Sequence, residues 1–166
     1  IMDSKFVLGK INEYLHQATD LLADWLNNML PKVTDNWWNE CVLLKLSYNQ
    51  RNLADEKHFT KLTDFDLSAL LRIADKNWYA MREFAYLPTK ERECIRDMVS
   101  VRNNWAHCGV ELPGKDSIVH DISVLQAFFE QMNSSYDFLR KIENFKKEIE
   151  ESSFAQEKSP TGNPSM

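Results

Sequence analysis

The sequence predicts an all-α protein, an up-and-down bundle of about five helices with a long C-terminal helix. Only four glycines and five prolines occur in 166 residues, so the chain lacks the turn residues that an all-β fold needs. Apolar side chains recur at intervals of three and four residues, a period that only a helix keeps on one face. The 43% of apolar residues is enough for one hydrophobic core, and two full domains would be crowded.

Three helices are predicted in the first half of the chain. They cover residues 4–30, a segment from Thr34 or Asp35 to Ser47, and a segment from Thr63 to Met81. Pro31 ends the first helix, and the polar, mixed residues 48–62 predict a loop that could hold one helical turn. Thr63 and Asp66 resemble a capping box, which would open the third helix.

Two further helices are predicted in the second half. After the break at Leu87-Pro88, Thr89 can cap a fourth helix over residues 90–108, and Gly109 can end it as a C-terminal glycine. A heptad seam then predicts one long helix, because its apolar residues alternate at spacings of four and three. The seam consists of Ile118, Ile122, Leu125, Phe129, Met132, Tyr136 and Leu139.

A single helical domain is expected over residues 3–151, followed by a disordered linker over residues 152–166. The last segment has too few apolar side chains to offset the entropy lost on ordering. Such a linker would lead to a further domain.

The composition also narrows the function classes. A formal charge of −5 gives no global attraction to nucleic acid, so any RNA or DNA site must be a local patch. Three cysteines without a C-x-x-C spacing indicate reduced thiols in the cytoplasm and predict no metal site. No apolar run is long enough to span a membrane and no signal peptide is evident, so no membrane partner is expected.

The fourth helix carries a charged residue where a core residue is expected. On a helical wheel Arg102 falls in the middle of an arc formed by Glu91, Ile95, Met98, Val99, Trp105 and Ala106. A guanidinium there is costly unless it meets an anion. We therefore predict that this helix forms a dimer interface. The interface would cover Arg102 and also Trp105, which we expect to be exposed in the monomer.

A second stripe, roughly 100° to 160° from Arg102, is wholly polar. It consists of Arg96, Ser100, Asn103 and His107. Asn103 lies one turn before His107, where a side-chain hydrogen bond could fix the tautomer of the imidazole. Arg102 and His107 lie about 140° apart on the wheel, so a two-fold partner would bring both pairs into one cleft.

Arginine and histidine without a metal-ligand cluster, a nucleophile motif or a glycine-rich loop point to phosphate chemistry. A histidine that titrates near neutrality can move the proton of a ribose 2′-hydroxyl or of the leaving 5′-oxygen. An arginine can neutralise the charge that gathers on the phosphoryl oxygens. Because RNA supplies its own nucleophile, no metal or cofactor is expected.

The segment Arg102-Asn103-Asn104-Trp105-Ala106-His107 matches the R-x4-6-H motif of the HEPN superfamily, including the polar residue after the arginine. The flanking sequence resembles one subgroup, the HEPN domains similar to the C-terminal domain of the yeast nuclear transcript-surveillance endonuclease. The residues that carry this resemblance are Asp66 to Ile73, Asn77-Trp78 and Val101 to His107, within roughly residues 35–135.

The resemblance implies a HEPN-like bundle that forms a homodimer through the 90–108 helix and cuts single-stranded or tRNA-like RNA without a metal. Arg102 and His107 would be the catalytic residues of this endoribonuclease, with Asn103 orienting the histidine. Substrate contacts would come from Arg96, Ser100 and Asn104. Prokaryotic relatives often accompany ATPase or helicase domains in defence systems. Other members do not cut, which leaves a dimerisation, nucleotide-binding or RNA-binding module that regulates a fused ATPase or helicase as the alternative.

Simpler interpretations of the same residues remain open. Arg102 could form a salt bridge with Asp66 or Asp97, and His107 could interact with the last carbonyls of its helix. The tryptophans could stack on bases, although core packing is favoured because three of them lie on apolar faces; they are Trp37, Trp38, Trp78 and Trp105. Cys108 is interpreted as structural, because no acid is evident that would orient a thiol nucleophile.

Overall fold

A computed structural model describes residues 3–109 and 111–152. Over these two ranges the regular secondary structure is all helical and includes no strand, so the predicted all-α class is confirmed. The α-helices are α1 (Ser4–Met29), α2 (Tyr48–Glu56), α3 (Leu67–Lys76), α4 (Trp78–Arg82), α5 (Thr89–Ala106), α6 (Lys115–Gln131) and α7 (Tyr136–Glu151). The predicted linker lies outside the described residues except for Ser152, and the domain boundary stays a prediction.

Helix α1 agrees with the predicted first helix. The Asp3 side chain caps its start by accepting a hydrogen bond from the backbone N–H of Lys5 at 3.1 Å. Pro31 falls in a 3-10 turn, Leu30–Lys32, that closes the helix. Pro31 therefore ends the helix as expected, because proline cannot supply the N–H that the next turn needs.

The predicted second helix is wrong. Instead of one α-helix, a π-helical turn at Trp38–Val42 is followed by a 3-10 turn at Leu43–Lys45. Cys41 and Val42, neighbours in the sequence, are both buried, and the irregular turns accommodate that packing. Thr34 accepts a hydrogen bond from the N–H of Asn36 at 3.4 Å, which closes a turn and does not start a helix.

The segment predicted as a loop contains α2. The Ser47 hydroxyl accepts from the N–H of Gln50 at 3.2 Å, and the Gln50 side chain accepts from the N–H of Ser47 at 3.0 Å. This capping box starts a helix of which only Ala54 is buried. A helix with so small a buried face has no apolar period to detect, which is why the pattern missed it.

The third predicted helix starts later and is interrupted. Asp66, and not Thr63, caps α3, since its Oδ1 accepts from the N–H of Ala69 at 2.9 Å. Buried Asn77 then separates α3 from α4 and donates its side-chain N–H groups to the carbonyls of Cys41 and Ile73, both at 2.8 Å. The amide therefore joins the irregular segment to the bundle.

The predicted long C-terminal helix is two helices. Asn133 adopts a left-handed backbone with φ 57°, and the Ser135 hydroxyl caps α7 by accepting from the N–H of Phe138 at 3.1 Å. The chain turns back between them, and the rings of Phe129 and Phe138 meet at 4.7 Å across the hairpin. The heptad spacing continued through this turn by coincidence, because Tyr136 is exposed.

Helix α5 lies in the middle of the bundle, packed against α3 on one side and α6 on the other. Its bounds are close to the predicted 90–108, but Thr89 is its first residue and Pro88 stands at the cap position. His107, and not a glycine, follows its last residue. Gly109 does not have a positive φ, so it does not form the expected left-handed cap.

The tryptophans follow the core-packing interpretation. Trp78 and Trp105 are buried, and Trp37 and Trp38 are half-buried against the same core. Trp25 adds a tilted contact with Trp78, their ring centroids 6.2 Å apart. None of the helices in the described part of the chain is long and apolar enough to cross a membrane.

Candidate functional site

Arg102 lies at the edge of the buried face of α5 and not at its centre. The buried residues of this helix are Ile95, Met98, Val101 and Trp105, whereas Val99 and Ala106 are exposed. The inner face is therefore turned towards Val101, and the side chain of Arg102 keeps 32% of its surface exposed. The predicted position was wrong because Val99 and Ala106 were counted as core on apolarity alone.

Arg102 has two polar partners. Its Nη2 lies 3.8 Å from Oδ2 of Asp66, and its Nη1 donates to Oδ1 of the neighbouring Asn103 at 3.3 Å. Asp66 is one of the two acids that sequence reasoning offered as a salt-bridge partner. Because the Asp66 carboxylate is 62% exposed, an ion pair of this length contributes between about 0 and 1 kcal/mol. The guanidinium therefore stays available to another anion.

His107 is exposed and stands at the C-cap of α5, one turn beyond Asn103. The predicted hydrogen bond between the two is not formed; the Oδ1 of Asn103 accepts a hydrogen bond from Arg102. Among residues 3–109 and 111–152 no side chain is hydrogen-bonded to the imidazole.

The two residues that follow Asn103 are tied to the inside of the bundle. The indole N–H of Trp105 donates to Oδ2 of Asp121 on α6 at 2.9 Å, and the side-chain amide of Asn104 reaches the same oxygen at 3.4 Å. Trp105 is therefore buried, which corrects the expectation that it is exposed. Asn104 is exposed in spite of this contact with α6, and its contact with substrate stays a prediction.

Asp121 is a residue that the sequence reasoning missed. Its side chain is only 3% exposed, and it holds the segment between Arg102 and His107 against α6. The sequence did contain a sign of this role, because Asp121 is an acid within the apolar run of α6, between Ile118 and Ile122. A buried carboxylate must be paired or hydrogen-bonded, so such an acid predicts a partner on a facing helix.

The first half of α5 holds the remaining predicted substrate residues, Arg96 and Ser100. Ser100 is exposed, whereas Nε of Arg96 donates to Oδ1 of Asp75 on α3 at 3.1 Å. Arg92 donates to the same oxygen at 3.0 Å and to the backbone carbonyl of Asp75 at 3.3 Å. Burial acts to lower the pKa of Arg92, but the hydrogen bond and charge of Asp75 outweigh it and raise that pKa.

The thiols near the motif are not activated. Burial raises the pKa of Cys108, and burial together with the charges of Asp97 and Glu91 raises the pKa of Cys94 to about 12. Neither thiol is a nucleophilic thiolate near neutrality, which agrees with the structural interpretation of Cys108. Within the two described ranges, no group of three or more His, Cys, Asp or Glu side chains could hold a metal ion.

Comparison with known protein families identifies the family of this chain. The family model described as Swt1-like HEPN matches residues 13–133, a range that contains the whole of α5 together with Asp66, Asp75 and Asp121. The helix α7 lies outside it. No curated protein and no solved structure matches the chain at a significant level.

Proposed function

Because the chain belongs to the Swt1-like HEPN family, we propose that it is a metal-independent endoribonuclease domain in which Arg102 and His107 are the catalytic residues. The observation that carries the proposal is their accessibility at the C-terminal end of α5. Arg102 is only half-buried and weakly paired, and His107 is exposed. The resemblance of Asp66 to Ile73 and Asn77-Trp78 to the subgroup of the yeast nuclear transcript-surveillance endonuclease supports the same activity.

The chemistry follows from what each side chain can supply to a bound single-stranded or tRNA-like RNA. The ribose 2′-oxygen attacks the adjacent phosphorus, and the bond from phosphorus to the 5′-oxygen breaks. His107 accepts the proton of the 2′-hydroxyl or donates one to the leaving 5′-oxygen. The planar guanidinium of Arg102 can hold two phosphoryl oxygens as charge develops on them. The product on the 5′ side is a 2′,3′-cyclic phosphate.

A homodimer through α5 would complete this site. Arg102 and His107 lie on different flanks of the helix, about 140° apart on a regular helical wheel. Val99 and Ala106, both exposed beside Arg102, form a small apolar strip that a second copy of α5 can cover. A two-fold axis along this strip would bring Arg102 of each copy towards His107 of the other. Light scattering that shows a monomer at high micromolar concentration would contradict this dimer.

The proposal also includes the partner domain and the cellular location of the protein. Residues 152–166 have the composition of a linker, and the resemblance to prokaryotic relatives in defence systems supports an ATPase or helicase domain as the partner of the bundle. The unpaired cysteine pattern supports a cytoplasmic location.

Cleavage of RNA in the presence of EDTA tests the proposal directly. We expect a 2′,3′-cyclic phosphate or its hydrolysis product, and we expect a substrate with 2′-deoxyribose at the scissile position to resist, because the internal nucleophile is missing. Cleavage of the deoxy substrate at an undiminished rate, or loss of all activity on metal removal, would overturn the mechanism.

A non-catalytic module is the second candidate, a domain that dimerises or binds nucleotide or RNA and regulates a fused ATPase or helicase. One observation favours it: among the described residues no hydrogen bond joins Asn103 to the imidazole of His107, and the Asn103 Oδ1 accepts from Arg102. Under this alternative, replacement of His107 would leave every measured activity of the protein unchanged.

A further inference from the structure

A basic and aromatic cluster lies at the opposite end of α5 from the R-x4-H motif. It consists of Asp75, Tyr79, Arg82, Arg92 and Arg96, contributed by α3, α4 and α5. The guanidinium carbon of Arg92 lies 4.7 Å from the centroid of the Tyr79 ring, and that of Arg82 lies 5.9 Å from it. Arg92 and Arg96 also share the carboxylate of Asp75. Three guanidiniums thus gather around one phenol ring and one carboxylate.

Most of this cluster is open to solvent. Tyr79 is 66% exposed, Arg82 is exposed, and the side chain of Arg96 keeps 57% of its surface. One carboxylate cannot neutralise three arginines, so the cluster is a local excess of positive charge on a chain whose net charge is −5. An exposed large aromatic ring beside cations is the combination that binds single-stranded nucleic acid, through base stacking and phosphate contacts.

The cluster and His107 lie along one side of α5. On a regular wheel Arg92, Arg96, Asn103 and His107 fall within about 60° of one another. From Arg92 to His107 the helix rises about 22 Å, at about 1.5 Å per residue. A line of polar side chains therefore connects the cluster to His107, and a strand bound at one end can continue to the other.

We propose that this cluster is a second binding subsite for single-stranded RNA, which holds the substrate at a distance from the scissile phosphate. An unpaired base stacks on the exposed ring of Tyr79, and the adjacent phosphates contact Arg82 and Arg96. Arg92, largely buried between Asp75 and the ring, fixes the orientation of Tyr79. A duplex cannot use this subsite, because its base faces are already stacked. This inference rests on the proposed function, since it names the substrate that the same helix would bind.

Substitution of Tyr79 tests the stacking. The probe is a fluorescent single-stranded oligonucleotide of 2′-O-methyl RNA, which binds but lacks the attacking hydroxyl. Tyr79→Ala should weaken its binding about five-fold or more, since stacking on an aromatic side chain is worth that much per base. Tyr79→Phe keeps the ring and should restore the affinity of the parent. Tyr136→Ala removes another exposed tyrosine, on α7, and should change nothing.

Substitution of Arg82 tests the phosphate contact. Arg82→Ala should lower the slope of log affinity against log salt by about 0.7, the value for one phosphate contact on a single strand. Arg140→Ala removes an exposed arginine of α7 and should leave the slope as it is. Double-stranded RNA of the same sequence should bind the parent and Tyr79→Ala equally. Circular dichroism of each variant confirms that the fold is intact, which the exposure of these side chains leads us to expect.

The outcomes separate this inference from the proposed function. If the parent cleaves or binds single-stranded RNA but Tyr79→Ala and Arg82→Ala bind it like the parent, the subsite is disproved and the nuclease proposal stands. Equal losses for Tyr79→Ala and Tyr79→Phe would also overturn the stacking role. If the parent neither binds nor cleaves any RNA, both proposals fail together.

Discussion

The two ends of α5 use arginine in opposite ways. At the start of the helix Arg92 and Arg96 contact the carboxylate of Asp75 at 3.0 and 3.1 Å, and that carboxylate is 23% exposed. At the end Arg102 approaches the carboxylate of Asp66 only to 3.8 Å, and that group is 62% exposed. Both acids belong to α3 and its cap, so the two contacts are built from the same residue types on the same pair of helices.

Burial and distance decide what each contact does. Asp75, held at the last turn of α3, joins two arginines in a partly dry setting where charge-assisted hydrogen bonds are strong. The Oδ1 of Asp66 already accepts the capping hydrogen bond of α3, so Arg102 approaches only the other oxygen, at 3.8 Å. In the first contact Arg92, whose side chain is 17% exposed, clamps α5 to α3, while Arg96 keeps 57% of its surface exposed and can still meet a phosphate. The second leaves a guanidinium that a phosphate can recruit.

The largest expected effect is on catalysis at the motif end. His107→Ala should lower the rate of RNA cleavage by about 10²- to 10⁴-fold, the usual contribution of general acid–base catalysis. Arg102→Lys should cost a similar factor, because lysine keeps the charge but loses the planar fork. Single-turnover cleavage rates between pH 6 and 8 measure both effects.

The stability of these two variants is the control. His107 is exposed and Arg102 is only weakly paired, so the free energy of unfolding should change by no more than about 0.5 kcal/mol in His107→Ala. Two folded variants that cut RNA as fast as the parent would assign the nuclease activity to a contaminant or to another site. The non-catalytic alternative would then be the better interpretation.

The next largest effect concerns the residue that holds the motif end from inside. Asp121→Ala leaves the indole N–H of Trp105 buried without an acceptor, which should destabilise the fold by about 1 to 3 kcal/mol. Asp121→Asn keeps an amide oxygen that can accept from that N–H, so it should destabilise the fold less than Asp121→Ala does. Urea unfolding followed by tryptophan fluorescence checks the order. Equal stability of the parent and Asp121→Ala would mean that this hydrogen bond does not anchor α5.

A smaller effect is expected at the clamp. Asp75→Asn removes the charge that Arg92 and Arg96 share and should destabilise the fold by about 1 to 2 kcal/mol, a difference that shrinks at high salt. Asp24→Asn, at an exposed position of α1, is the matched control and should stay within about 0.5 kcal/mol of the parent. If Asp75→Asn and Asp24→Asn lower the free energy of unfolding by the same amount, the clamp is not a stabilising contact.

The sequence predicted some of the helices and missed others. Periodicity predicted α1, because this helix buries a continuous apolar stripe that repeats every three or four residues, and the break at Leu87-Pro88 predicted the start of α5. It missed α2, which buries only Ala54, and it merged α6 with α7, because the apolar spacing happened to continue through the turn at Asn133. Local capping chemistry, such as Ser47 with Gln50, carried the information that the apolar pattern lacked.

For the candidate site, the motif residues could be found from the sequence but their partners could not. The spacing of Arg102 and His107 is a local property of one helix. The contacts of Asp121 with Trp105 and of Asp75 with Arg92 span 16 and 17 residues and depend on how α3, α5 and α6 pack. No spacing within one helix encodes them. The buried acid of α6 was the one visible sign of such a contact.

The smallest expected effect, and the sharpest test of the comparison, is at Asp66. Asn is as good an N-cap as Asp, so Asp66→Asn keeps the cap of α3 and removes only the charge that faces Arg102. An exposed pair at 3.8 Å contributes little, and we expect a change in the free energy of unfolding within about 0.5 kcal/mol.

Asp66→Ala is the control, because it removes the cap as well as the charge. It should lower the free energy of unfolding by about 1 kcal/mol. The difference in stability between the two variants therefore measures the contribution of the cap alone. Since Asp66 competes with a phosphate for the guanidinium, Asp66→Asn should bind single-stranded RNA at least as tightly as the parent. Thermal unfolding and the RNA-binding assay measure the two quantities in one preparation. A loss of stability as large as that of Asp75→Asn would show that the two ends of α5 hold their arginines equally firmly, and would remove the argument that Arg102 is free to bind a phosphate.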